Sequence, residues 1–381
     1  MGPSAYRQEP WPFPYPILAV CHIGYEWISY RVPMDPLSNL AISSVILRLI
    51  ASLDEFKGRW QAIGRLAPDR LSAPRRVATI ESVGSSTRIE GARLTDAEVD
   101  RLLSRIDIRS FRSRDEQEVA GYAEAMELVF ESWRELTLTE NHLKQLHGLL
   151  LKHSTKDQRH RGHYKKLPNH VEAFGPDGKS LGVVFETASP FDTPRKMEEL
   201  VTWTHDALQA GEHHPLLVIG TFTVRFLAIH PFQDGNGRLS RVVTTLLLLR
   251  AGYEYAPFSS LERVIEENKD DYYRTLRRAQ STLDRGEKRL GEWLVFFFRC
   301  LGEQVKVLER KVERERLMAA LSALDEALLR LAREHGRLTV ASAVKLTEAN
   351  RNTVKLHLRQ LTEAGRLRLR GAGRGAWYEV A

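Results

Sequence analysis

Cysteine is scarce: the 381 residues include two, Cys21 and Cys300. Two thiols argue against a disulfide framework or a cysteine-based zinc site, and such sparing use fits a reducing compartment. Long apolar runs are also missing. None approaches the roughly 20 residues that cross a bilayer. The N-terminus has no basic stretch leading into an apolar one, and prolines 10, 12, 14 and 16 interrupt it. These absences predict a cytoplasmic protein with no membrane contact. No internal repeat and no low-complexity tract is found, which excludes a solenoid.

What is present is globular in composition, with 43% hydrophobic and 28% charged residues. The length suits two or three domains, and we expect them at 1–110, 111–300 and 301–381. The net charge of +7 is uneven. From residue 336 to 381 nine basic residues face three acidic ones, so +6 of it belongs to the C-terminal stretch and the rest is near neutral.

The central string is His230 to Arg241, HPFQDGNGRLSR, set between the apolar runs 216–228 and 242–249. Both runs are long enough for buried helices, and polar residues this dense between core helices are costly unless used. Asp234-Gly235-Asn236-Gly237 is a turn-forming run whose glycines let a ligand approach the backbone. A helix resuming near Arg238 would aim its free N–H groups at an anion. Arg238 and Arg241, three apart, share a face and suit phosphate oxygens. Asp234 suits Mg2+ carried by phosphates, and His230 can take a proton at neutral pH. Phe232 is read foremost as a core anchor.

The twelve-residue string resembles the signature of the Fic family, HPFxDGNGRxxR, at every fixed position. The resemblance implies transfer of AMP from ATP to a protein hydroxyl, with Mg2+ (or Mn2+) on the phosphates. It implies His230 as base, Asp234 as metal ligand, and Phe232, Gly235, Asn236, Gly237, Arg238 and Arg241 at the ATP. Upstream, Ser86-Thr-Arg-Ile-Glu90-Gly91 resembles the family's inhibitory motif (S/T)xxxE(G/N), in which the glutamate pairs with the second arginine, here Arg241. Glu90 would then occupy the place of the γ-phosphate. Val77, Ile80 and Val83 give this segment one apolar helix stripe, and Ser86 and Glu90 lie one turn apart.

The implied fold is mainly α: a Fic-type helical core with a β-hairpin flap, plus a C-terminal winged helix-turn-helix. The hairpin is read at 162–187, around the turn Gly175-Pro176-Asp177-Gly178. It opens with Gly162 and Tyr164, but Lys165 stands where the family usually has arginine. Its edge would dock the target protein by strand addition. Tyr272 and Tyr273 are carried over as an adenine-pocket pair, with Gln280 a weaker candidate.

Helices are expected at 37–63, 95–103, 116–135, 140–152, 193–209 and 271–280, and as one or two pieces over 287–317. Residues 1–36 read as an arm with one strand near 27–32. Helices near 317–334, 340–346 and 350–364, then strands 366–370 and 376–380, make the winged-helix pattern. Arg351, Asn352, Lys355, Arg359 and Arg374 would form its footprint on DNA. A DNA-binding regulator with the Fic core as nucleotide sensor is therefore the alternative function. Transfer of phosphate or phosphocholine, removal of AMP, and homodimerisation all stay open.

Overall fold

A computed structural model describes residues 35–66, 72–104, 111–169, 171–174, 180–283 and 289–381. The N-terminal arm, its strand and the turn at 175–178 lie outside these residues. The helices in chain order are α1 (Ser44–Leu66), α2 (Ser72–Ile89), α3 (Asp96–Leu103), α4 (Arg114–Ser132) and α5 (Glu140–Leu150). The flap strands β1 (Val171–Phe174) and β2 (Ser180–Phe185) follow. Then come α6 (Thr193–Ala210), α7 (Pro215–Ile229), α8 (Asn236–Arg250), α9 (Leu261–Glu267), α10 (Lys269–Gln280) and α11 (Leu290–His335). The chain closes with α12 (Val340–Thr347), α13 (Arg351–Glu363), β3 (Leu367–Arg370) and β4 (Trp377–Val380).

Local signals explain most boundaries. Thr95 opens α3 with a reciprocal capping box to Glu98, and Ser113 and Thr139 cap α4 and α5 through their side chains. His214 accepts the Leu216 N–H and Pro215 sits at the first position of α7. In α7 and α8 nearly every residue is buried, including Phe222, Phe226, Val242 and Leu246. Each such large apolar side chain contributes about 1.5–3 kcal/mol when removed from water. Trp293, Leu294 and Phe297 of α11 complete this core, and the Trp293 indole donates to Gly220 O at 2.8 Å.

The flap strands pair antiparallel, Val171 opposite Phe185 and Phe174 opposite Ser180, with register shifts between. A second, smaller core gathers Leu328, Leu338, Ala343, Val354, Leu358 and Leu367 from the end of α11 onward. Strands β3 and β4 pair from Leu367–Val380 to Arg370–Trp377, and Leu338 bridges Tyr378 through both backbone bonds. Among the described residues no helix is long and apolar enough to cross a membrane.

Three readings are corrected. The break expected near 317 is absent: α11 runs unbroken for 46 residues, because no Gly or Pro interrupts it between Gly302 and Gly336. Helix α1 begins at Ser44, after a turn at 36–39 in which Asp35 accepts the Leu37 N–H. Val77 is 48% exposed and does not share the buried stripe with Val83.

Candidate active site

Helix α7 ends where His230 turns into the left-handed region, φ 54°. That costs a non-glycine residue about 1–2 kcal/mol, so neighbours must hold it. The His230 N–H donates to Phe226 O at 2.9 Å. The Asn236 side chain brackets Phe232, accepting its N–H at 2.9 Å and donating to its O at 2.7 Å. The amide of Asn236 is thus engaged in shaping the turn. The Phe232 ring is buried, as a core anchor should be, and stacks on His147 with centroids 3.9 Å apart.

His147, on α5, escaped the sequence reading. Gly162 N–H donates to its Nδ1 at 3.0 Å, so Nε2 carries the proton given to Asp234 O at 3.0 Å. Burial pushes its pKa down to about 4. His230 is also pushed down to about 4, by burial first and by the charge of Lys165 among lesser causes. Its Nδ1 lies 3.3 Å from Leu227 O, which places the proton there and the lone pair on Nε2. At neutral pH His230 is therefore a neutral base.

Asp234 sits in a closed ring of charges. Its two oxygens meet Arg114 Nη2 at 2.9 Å and Arg238 Nη2 at 3.2 Å, and both arginines meet Glu118 at 2.7 and 3.0 Å. Burial opposes the ionised form, but Arg238, the Gly235 N–H and Arg114 together hold the Asp234 carboxyl below its usual range. Arg114 and Glu118 were missed. Their four-residue spacing on α4 marked a helix pair, but nothing in the sequence placed that helix against Asp234.

Gly235, φ 79°, caps α8 in the left-handed region, where a side chain would be strained. One turn on, Gly237 faces α2. A Cβ at Gly237 would fall 2.1 Å from Glu90 Oε1, so only glycine admits that carboxylate over the helix N-terminus. Glu90 Oε1 accepts from Arg241 Nη2 at 2.8 Å, while Ser86 accepts from Nε at 2.8 Å through its hydroxyl and from Nη2 at 2.9 Å through its carbonyl. Burial raises the Glu90 pKa, but Arg241 beside it, with Arg238 and His230, brings the net below the usual range. The Arg241 guanidinium is buried, which disfavours its charge; Glu90 outweighs this and drives its pKa upward.

Tyr272 is buried beside Arg241, its ring 5.1 Å from that of Tyr273. The Tyr273 hydroxyl donates to Ile89 O at 3.4 Å, at the end of α2. Gln280 is buried at the far end of α10. The fold therefore brings His230, Asp234, Gly237, Arg238, Arg241, Ser86, Glu90 and the tyrosine pair to one end of α8. Phe232 and Asn236 lie beneath them. Chemically this is a neutral base, an ionised carboxylate, two arginines and the first N–H groups of a helix without a side-chain cap: an anion site with a carboxylate already in it.

The Fic/DOC family profile matches residues 137–248. The chain therefore carries a Fic/DOC domain at 137–248. The match includes the whole 230–241 string but not Glu90, the tyrosine pair or the C-terminal elements. Proteins named protein adenylyltransferase Fic from Drosophila grimshawi and Drosophila mojavensis are each 29% identical over 208 residues. Those alignments cover 54% of this chain and 40% and 38% of the two relatives, so it spans about two fifths of their length. A Fic family protein from Desulfovibrio desulfuricans G20 shares the fold, with TM-score 0.58 and 24% identity over 90% of this chain and 98% of that one. A Fic domain containing signaling protein from Bacteroides thetaiotaomicron VPI-5482 does so with TM-score 0.55, 24% identity, and 70% and 95% coverage.

Proposed function

We propose that this protein is an auto-inhibited adenylyltransferase, moving AMP from ATP to a hydroxyl of a target protein. The observation that carries the reading is the ring of His230, Asp234, Arg238 and Arg241 around the start of α8, with Glu90 seated at Gly237 and Arg241. In the reaction the target oxygen bonds to the α-phosphorus and its proton passes to Nε2 of His230. The bond to the β-phosphate bridging oxygen breaks and pyrophosphate leaves. The N–H groups at Gly237 and Arg238, with the Arg238 guanidinium, would stabilise charge on the transferring phosphate. Arg241 would hold the γ-phosphate once Glu90 leaves it.

Asp234 is the residue that would hold Mg2+ or Mn2+. Among the described residues no cluster of three or more His, Cys, Asp and Glu side chains could hold an ion unaided. One ionised carboxylate facing a triphosphate does fit a cation that takes most of its ligands from substrate and water. Such an ion would neutralise charge on the α- and β-phosphates. The flap hairpin supports docking of the target by strand addition. The test is labelled ATP with Glu90→Gly: self-modification should rise, and His230→Ala in that background should abolish it. A silent Glu90→Gly protein with both metals present would overturn the reading.

A second reading concerns the C-terminal elements, which follow the order of a winged helix-turn-helix. Helix α13 buries Val354, Leu358 and Leu361 and exposes Arg351, Asn352, Lys355 and Arg359. A cationic face opposite an apolar one favours duplex DNA as its partner.

A further inference from the structure

The two ends of the flap meet beneath His230, and one side chain joins them. Lys165 is buried, 3% exposed, and its ammonium donates to Asn169 Oδ1 at 2.7 Å, Thr187 Oγ1 at 2.8 Å and Ile229 O at 3.0 Å. Asn169 precedes β1, Thr187 follows β2, and Ile229 precedes His230. The Lys165 N–H donates in addition to Pro231 O at 2.8 Å. Asn169 Nδ2 donates to Phe232 O at 2.7 Å. The flap entry thus binds the carbonyls of 229, 231 and 232, bracketing the residue that holds φ 54°.

All three acceptors of the ammonium are neutral. A buried cation without a carboxylate partner is costly, and a simple structural peg would be served by an uncharged side chain. Here the charge also lies near the imidazole and is one of the causes that keep it unprotonated.

We propose that Lys165 is the positioning residue of the transfer: it locks both ends of the β1–β2 hairpin to the backbone of the His230 turn. A target strand laid along the hairpin then arrives in register with Nε2 of His230. This rests on the AMP-transfer reading. The titratable groups bearing on the ammonium are the neutral His230 on the turn and the charged Lys196 on α6. Burial first, then Lys196, pushes the amine down to about 8. A neutral amine keeps two N–H bonds and turns a lone pair toward one of three acceptors, so the lock loosens on the alkaline side.

The experiment uses the full chain carrying Glu90→Gly, labelled ATP and self-modification as readout, with ATP affinity measured separately. Lys165→Met should lower kcat about ten- to hundredfold, as a displacement near 1 Å does, and leave ATP affinity unchanged. It should also move the acidic limb of activity to higher pH. Lys165→Arg, keeping charge and donors in a flatter fork, should recover part of kcat and remove the loss above about pH 8. Should Lys165→Met fail to fold, Thr187→Val removes one acceptor and should lower kcat severalfold in the same sense. An active parent with kcat unaffected in these variants overturns the role of Lys165. So does a loss confined to ATP affinity. A silent parent overturns the transfer reading itself, and this role with it.

Discussion

Glu90 Oε1 lies 2.8 Å from Nη2 of Arg241, across 151 residues of sequence, and the same oxygen fills the space that a side chain at Gly237 would need. A carboxylate that fills an anion site competes with any phosphate that needs it. Glu90→Gly removes one charged hydrogen bond to a buried guanidinium, at about 1.5–3 kcal/mol. Ser86 still holds Arg241, which keeps the loss toward the lower figure. Without nucleotide the variant should melt below the parent. With ATP the order should narrow or reverse, since a ligand bound only by the folded state stabilises it. Melting temperatures of both proteins, with and without ATP, check this; an equal ATP shift in the two would count against competition.

Acid stability follows from His147. Folded, it takes up its proton only near pH 4; unfolded, near 6.5. Between these values the unfolded chain binds more protons, so stability falls as pH falls from about 6.5 to about 4, by up to about 3 kcal/mol. His230 acts in the same sense. His147→Gln keeps a donor and an acceptor but cannot titrate. It should be less stable at pH 7 through loss of the stack on Phe232, yet should show a flatter decline toward pH 4.5. Urea midpoints across that range measure both effects.

What the sequence showed of this site depended on contiguity. His230 to Arg241 could be read because loop and helix start follow one another, and Ser86 to Glu90 because one helical turn spans them. Arg114 and His147 reach Asp234 from α4 and α5, with Glu118 held behind the arginines, and no local pattern announces a contact across 87 or 120 residues. The amide of Asn236 illustrates a different limit. Its residue type suits phosphate, but Oδ1 and one Nδ2 hydrogen are engaged with Phe232. Helices with caps, such as α3 and α5, were placed closely. The continuity of α11 was not, because a change of apolar pattern resembled an end although no breaker was there.

The Arg114 contact bears on metal dependence. Its guanidinium holds one oxygen of Asp234 from a half-exposed position. A cation approaching that carboxylate must compete with it, so Arg114→Gln should lower the Mg2+ concentration for half-maximal activity by about three- to tenfold, as an ion pair of about 1 kcal/mol allows. Glu118→Gln should act oppositely, since it leaves Arg114 and Arg238 to bind Asp234 alone. Metal titrations of each variant in the Glu90→Gly background compare the two directions.

The C-terminal face allows a test by salt. Not all its cations are equal. Arg359 is tied to Glu363 at 2.8 Å and Arg370 to Glu379 at 2.7 Å, so each would have to leave a partner to reach a phosphate. Arg351 and Lys355, one turn apart at the start of α13, are exposed and stand above the capping Asn350, where helix N–H groups also favour anions. Reversing both charges should weaken binding to random duplex about tenfold or more at moderate salt and reduce the slope of log affinity against log salt by about 2. Arg359→Gln should change the slope less. The same face carries Leu356, 53% exposed, and α12 carries Leu346, 51% exposed. Apolar residues there would suit a protein partner instead, and the salt series separates the two: phosphate neutralisation releases counterions and gives a steep slope, whereas apolar docking does not. No gel shift at low salt would rule out duplex DNA as the partner of this face.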